Sequence, residues 1–260
     1  MSLCDDFILQ SRRTWGLLRK ADKVNLSLGE ETITDINLIA LQSRHPFEIT
    51  TVKCNKYIEG RLGIDWEWLL LSRGKILALR IQAKKLDHFK LNYPYLGSMH
   101  NGKKQIDLLI NSSFSAVHNP IPLYVFYNYW KRGTFNPTWT CRTYRKSQTM
   151  LGCSIAYAPA IRKLLNAGSN KLVDIAKIMY PWSCLVCCTQ GQKRHKDLTT
   201  DVLAFVQEVL AREYADQISS QQTIRDEIPL YVSRIIQVET LSDDDWLNAG
   251  VKRITLIREL

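Results

Sequence analysis

Between Gly63 and Lys84 the chain reads GIDWEWLLLSRGKILALRIQAK, two apolar stretches that carry Asp65, Glu67, Arg80, Gln82 and Lys84. Strand interiors tolerate such groups only when they pair or bind something, because burying an uncompensated charge costs several kcal/mol or more. The spacing is informative. In a strand, side chains alternate between faces, so Asp65 and Glu67 share one face and Ile64, Trp66 and Trp68 the other; Arg80, Gln82 and Lys84 likewise share a face. A turn at Arg73-Gly74 would pair the two strands and bring carboxylates, an amide oxygen and an ammonium together.

The elements around them place these groups. Apolar positions between Asp5 and Lys20 predict a first helix, and ETITDINLIALQ a second, with Glu31 and Asp35 one turn apart on the same side. PFEITTVKCNKYIEG, IDWEWLLL and KILALRIQAKK read as three strands in an antiparallel meander. GKKQIDLLINSSFSAV returns to helical spacing, and IPLYVFYNYW is a short, nearly continuous apolar run suited to a central strand. After about residue 150 the segments AYAPAIRKLLNAG, NKLVDIAKIMY and TTDVLAFVQEVLARE read as helices. PLYVSRIIQVET and VKRITLIREL read as two strands around an acidic turn, SDDDW. With no evident linker, residues 1–150 form a core and residues 151–260 a C-terminal α+β extension packed on it.

In that order the residues resemble the PD-(D/E)XK, or restriction-endonuclease-like, nuclease superfamily. Its half-motifs are an acid opening the second strand and an acid or Gln two residues before a Lys on the third. Here they match Gly63-Ile64-Asp65 and Gln82-Ala83-Lys84, with Glu31 in the place of the helix acid. EETITD, GIDWEW, QAKK and YPYL together look like a bacterial branch of that superfamily with a QxK variant motif, and the resemblance covers about residues 28–130. It implies an α/β fold with an αβββαβ core, a mixed central sheet and flanking helices. It implies a Mg²⁺-dependent (or Mn²⁺-dependent) nuclease, with Glu31, Asp65, the Gln82 side-chain oxygen and the Ala83 carbonyl as metal ligands. Lys84 would orient the attacking water or stabilise charge at the phosphate. Gln82 is neutral where most members carry an acid, so Glu31, Glu67 or Asp35 would have to compensate. A catalytically inactive nucleic-acid-binding or protein-interaction module on the same fold is the alternative.

Charge agrees with a polyanionic partner. The net charge is +10, and residues 1–150 hold 22 Lys+Arg against 12 Asp+Glu while residues 151–260 hold 13 of each. A one-sided positive field suits nucleic acid, and the resemblance implies DNA before RNA. Lys85, Lys90, Lys103, Lys104, Arg142, Arg145 and Lys146 are available as phosphate contacts, with Gln105 near the start of the following helix; His88 and His100 lie in basic surroundings. Tyr124, Phe126, Tyr127, Tyr129 and Trp130, beside Lys131 and Arg132, read as core before base-stacking surface.

Other chemistries have no local support: there is no G-x-x-x-x-G-K-[ST], GxSxG or HExxH motif. Seven cysteines without regular spacing predict reduced thiols, and Cys184-x-x-Cys187, followed by Cys188, has no second ligand pair for zinc beyond Cys153 and His195. No run is long enough to span a bilayer and the first residues do not read as a signal peptide, so a cytoplasmic protein without a membrane partner is expected. A homodimer is compatible with this composition.

Overall fold

The computed structural model describes residues 1–55, 64–116, 118–131, 133–136, 139, 147–187, 197–216, 218, 224–225 and 228–259.

 A mixed seven-stranded sheet, flanked by helices on both faces, makes this an α/β protein. Its first half runs α1 (Leu3–Lys23), α2 (Glu30–Arg44), β1 (Ile49–Lys53), β2 (Trp66–Ser72), β3 (Lys75–Lys85), a small hairpin of β4 (Met99–His100) and β5 (Lys103–Lys104), α3 (Gln105–Ser115) and β6 (Ile121–Tyr127). The second half adds β7 (Cys153–Tyr157), α4 (Ala158–Asn166), α5 (Leu172–Ile175), β8 (Tyr180–Pro181), α6 (Cys184–Cys187), α7 (Leu198–Phe205), α8 (Leu230–Ile236), α9 (Asp243–Ala249) and β9 (Arg253–Arg258).

The strands stand in the order β1-β9-β2-β3-β6-β7-β8. The expected β2–β3 hairpin forms: Arg73 and Gly74 both take positive φ (50° and 76°), the conformation a tight two-residue hairpin turn requires. Its register pairs Trp66 with Ile81 and Glu67 with Arg80. β3 runs parallel to β6, setting Gln82 beside Tyr124 and Lys84 beside Phe126. The meander does not extend to β1. Instead β9 lies between β1 and β2, antiparallel to the first and parallel to the second, so this last strand is an interior strand of the sheet.

Alternation sorts the side chains into two cores. Trp66, Trp68, Leu79, Ile81, Leu123 and Val125 pack with Phe7 of α1, Ile33 and Leu41 of α2, and Phe205 of α7. Leu69, Ala78, Tyr124, Phe126, Ile254 and Leu256 face Ile106, Leu109 and Ile110 of α3, with Val232 of α8 and Trp246 of α9. Each fully buried aliphatic side chain contributes about 1.5–3 kcal/mol by leaving water. The polar residues of β2 and β3 stand on the second of these faces, among apolar neighbours.

Two segments differ from expectation. PLYVSRIIQVET, expected as a strand, forms α8: Tyr231, Val232 and Ile235 bury one side, a helical spacing. SDDDW, expected as a turn, opens α9, where the Ser242 hydroxyl accepts the Asp245 N–H and the Asp245 carboxylate accepts the Ser242 N–H. The cysteines also differ: Cys4 in α1 and Cys187 in α6 form a disulfide rather than two reduced thiols. Among the described residues, no helix is long and apolar enough to cross a membrane.

Candidate active site

Asp65 immediately precedes β2, and the hairpin register carries it opposite Gln82 on β3. The two converge as their spacing implies. One Asp65 carboxylate oxygen, Oδ2, accepts a hydrogen bond from Gln82 Nε2 at 2.6 Å and another from the Ala83 backbone N–H at 2.8 Å. Its other oxygen, Oδ1, lies 3.6 Å from Lys252 Nζ, and the same ammonium lies 3.6 Å from Glu31 Oε1 at the start of α2. Glu31 therefore meets Asp65 through Lys252. Gly63, the first residue of the half-motif, lies outside the described residues.

Lys84 is buried, and its Nζ donates to Gln105 Oε1 at 2.8 Å, so the first residue of α3 fixes where the ammonium stands. Beside it is Glu30, whose Oε1 accepts the Lys85 N–H at 2.8 Å. Burial raises the Glu30 carboxyl above its ordinary range, against the pull of Lys84 and the Lys85 N–H, and the negative charge of Asp65 adds to the rise. Burial likewise raises Asp65, opposed by Lys252, the Ala83 N–H, Lys84 and Arg253. Both acids are thus held in an environment that under-compensates their charge.

Two polar atoms here are buried without a hydrogen-bond partner among the described residues: the Gln82 side-chain oxygen and the Tyr124 hydroxyl. An orphaned buried acceptor costs about 1–3 kcal/mol, so something that satisfies it is favoured. The Tyr124 hydroxyl is pushed well above its ordinary range by burial and by the charges of Asp65, Asp107 and Glu30. Carboxylate and amide oxygens are the hard donors that Mg²⁺ or Mn²⁺ prefers, so Asp65, Gln82 and the neighbouring Ala83 main chain fit such an ion. Among the described residues no three His, Cys, Asp or Glu side chains form a metal-holding group, so any such site depends on amide and main-chain oxygens as well as carboxylates.

The acids expected to compensate for the neutral Gln82 are engaged elsewhere. Glu67 is fully buried; its Oε2 accepts from Arg80 Nε at 3.0 Å, and its Oε1 from His118 Nε2 at 3.0 Å and the Tyr231 hydroxyl at 2.7 Å. Burial raises its pKa, but Arg80, His118 and these hydrogen bonds outweigh it and hold the carboxyl at about 2. Arg80 in turn donates to the Ser112 and Ala249 carbonyls. Asp35 accepts from Arg253 Nε at 2.6 Å and Lys53 Nζ at 3.2 Å. Glu30 and Asp65 are both close enough to Lys84 to feel its charge.

Of the expected phosphate contacts, Lys85 holds the α1–α2 connection, donating to Ser27 Oγ at 3.0 Å and the Leu28 carbonyl at 2.6 Å. Lys103 and Lys104 are exposed on β5, directly before Gln105. His88 bonds Asp22 Oδ1 at 2.8 Å. Tyr124, Phe126, Tyr127 and Trp130 are buried in the core. Arg132, Arg142, Arg145, Lys146, Cys188 and His195 lie outside the described residues. Sequence reasoning missed Glu30, Tyr124 and Lys252. Glu30 had a signal, the doubled acid of EETITD, and Tyr124 stands in the central strand beside Gln82; Lys252 had none, since only the insertion of β9 brings it near.

A family model described as a family of unknown function (DUF6615) matches residues 3–260. No curated protein matches the chain.

Proposed function

The chain belongs to this family of unknown function, and from the geometry at the head of β2 and β3 we propose that it is a metal-dependent nuclease of the PD-(D/E)XK type, hydrolysing phosphodiester bonds of DNA in preference to RNA. The observation that carries this reading is the joining of Asp65 to Gln82 and Ala83, with the Gln82 oxygen buried and unsatisfied. Asp65, Gln82 and the Ala83 carbonyl would hold Mg²⁺ or Mn²⁺, with Glu31 or Glu30 adding charge. When bound, the ion supplies Lewis acidity at the phosphate and lowers the pKa of a water.

The chain's own residues supply the rest. Gln105 holds the Lys84 ammonium in one place, where it orients the attacking water and offsets charge at the phosphate. Glu30, whose carboxyl burial raises and which feels the Lys84 charge, would accept the proton that water gives up. Lys103 and Lys104 offer the backbone a cationic approach beside α3.

Incubation with DNA and RNA in Mg²⁺ or Mn²⁺ tests the reading. Wild-type protein cuts DNA only with the ion, and Asp65→Ala or Lys84→Ala lowers the rate by about 10²–10³. Metal-independent binding without cutting contradicts it. One observation favours that second reading, a non-cleaving binding module: the Lys252 ammonium lies 3.6 Å from both Asp65 and Glu31, a cation of the chain's own between the two acids.

A further inference from the structure

Beside the site lies an open cavity of about 620 Å³, between the end of α1, the 24–29 connection and the loop that follows β3. That volume is within the roughly 300–1,000 Å³ of small-ligand sites. Two of its rings are largely exposed, Phe89 at 74% and Tyr95 at 67%. Their loop is pinned: Asp87 Oδ1 accepts the N–H groups of Phe89 and Lys90, and the buried Tyr93 donates its hydroxyl to Asn128. Large apolar rings held in water on a fixed support leave unburied area that a ligand can cover.

The rings form a series. Phe89 lies 4.0 Å from the His88 ring, centroid to centroid, and His88 lies 5.6 Å from Tyr129. Leu18 and Leu26 add apolar wall, while Asp22 and Ser27 bring hydrogen-bonding edges. This combination, π faces with a polar rim, suits a flat heterocycle. Glu30 and Lys85 also line the cavity, and Glu30 feels the charges of Lys84 and Asp65. Lys84 and Lys85 are neighbours at the end of β3, so alternation turns one toward the site and the other toward the cavity.

We propose that this cavity receives an unpaired nucleobase of the DNA strand whose phosphate is held at the Asp65–Lys84 site, making an unpaired or extruded nucleotide the feature the protein selects. The proposal rests on the nuclease reading for the position of the strand. A base within a duplex keeps both faces stacked and its edge paired; only an unpaired base can enter a ring-lined recess.

The test measures binding by the full chain in EDTA, with three end-labelled DNA duplexes: one carrying a single unpaired 2-aminopurine, the same duplex with an abasic residue there, and the fully paired duplex. The first is expected to bind at least about 10-fold tighter than the others, with quenched 2-aminopurine fluorescence. Phe89→Ala combined with Tyr95→Ala is expected to bring all three within about 2-fold, without a change in thermal midpoint, because both rings are exposed. Equal affinity for the three, no binding to any, or a preference that survives loss of the rings overturns the proposal. Metal-dependent cutting of paired DNA without such a preference refutes the pocket and leaves the nuclease reading standing. A ring-dependent preference without any cutting supports the pocket and removes the nuclease.

Discussion

Asp65 and Glu67 stand two residues apart, face the same side of the sheet, and meet β3 residues two apart, yet the fold treats them differently. Glu67 receives Arg80, His118 and Tyr231, each of which ties another element to β2, and its carboxyl is held at about 2. Asp65 receives an amide, one backbone N–H and a more distant ammonium, and burial leaves its carboxyl raised. A buried charge with a full set of partners fixes the fold. One with an incomplete set, beside an orphaned amide oxygen, is poised to take a ligand.

The largest effect should come from breaking the satisfied cluster. Glu67→Gln leaves the Arg80 guanidinium buried without its counter-charge and is expected to cost about 3–5 kcal/mol in denaturant unfolding. Acid should act on the same cluster. Because the folded Glu67 carboxyl is depressed from 4.5 to about 2, its stabilisation is complete above pH 4.5 and is lost as pH falls through about 2. That loss is on the order of 3 kcal/mol. Unfolding followed against pH should show it in wild type and a flattened curve in Glu67→Gln. Asp65 has the opposite sign: its raised carboxyl lowers stability once ionised, and acid relieves the penalty.

Lys252→Met sharpens the comparison from the other side. It removes the ammonium 3.6 Å from Asp65, which competes with a divalent ion, and should tighten Mn²⁺ binding about 10-fold by calorimetry. The smallest effect is expected from Asp65→Asn, which removes an under-compensated buried charge. Its unfolding free energy should stay within about 1 kcal/mol of wild type, in contrast to Glu67→Gln.

Much of this geometry was legible because it is local. Period-two alternation put Asp65, Gln82 and Lys84 on one side, and the Arg73-Gly74 turn set the register that joins Asp65 to Gln82. What was not legible depends on distant chain. Lys252 reaches Asp65 only because β9 inserts between β1 and β2, and Tyr231 reaches Glu67 from a segment whose β-branched residues favoured a strand reading. Propensity lost there to burial of one helical side. The start of α9 was different. Its Ser242-x-x-Asp245 capping pattern was present in the sequence, hidden by an acidic run that reads as a turn. The Cys4–Cys187 bridge joins residues 183 apart, which no spacing rule could pair.

Manganese titration of three proteins, read by calorimetry and by the electron paramagnetic resonance of the free ion, tests the central claim most directly. Wild type and a folded Glu67→Gln protein are expected to bind one Mn²⁺ per chain, and Asp65→Asn to lose that binding while remaining as stable as wild type. Undiminished binding by Asp65→Asn, or none by wild type, contradicts the account.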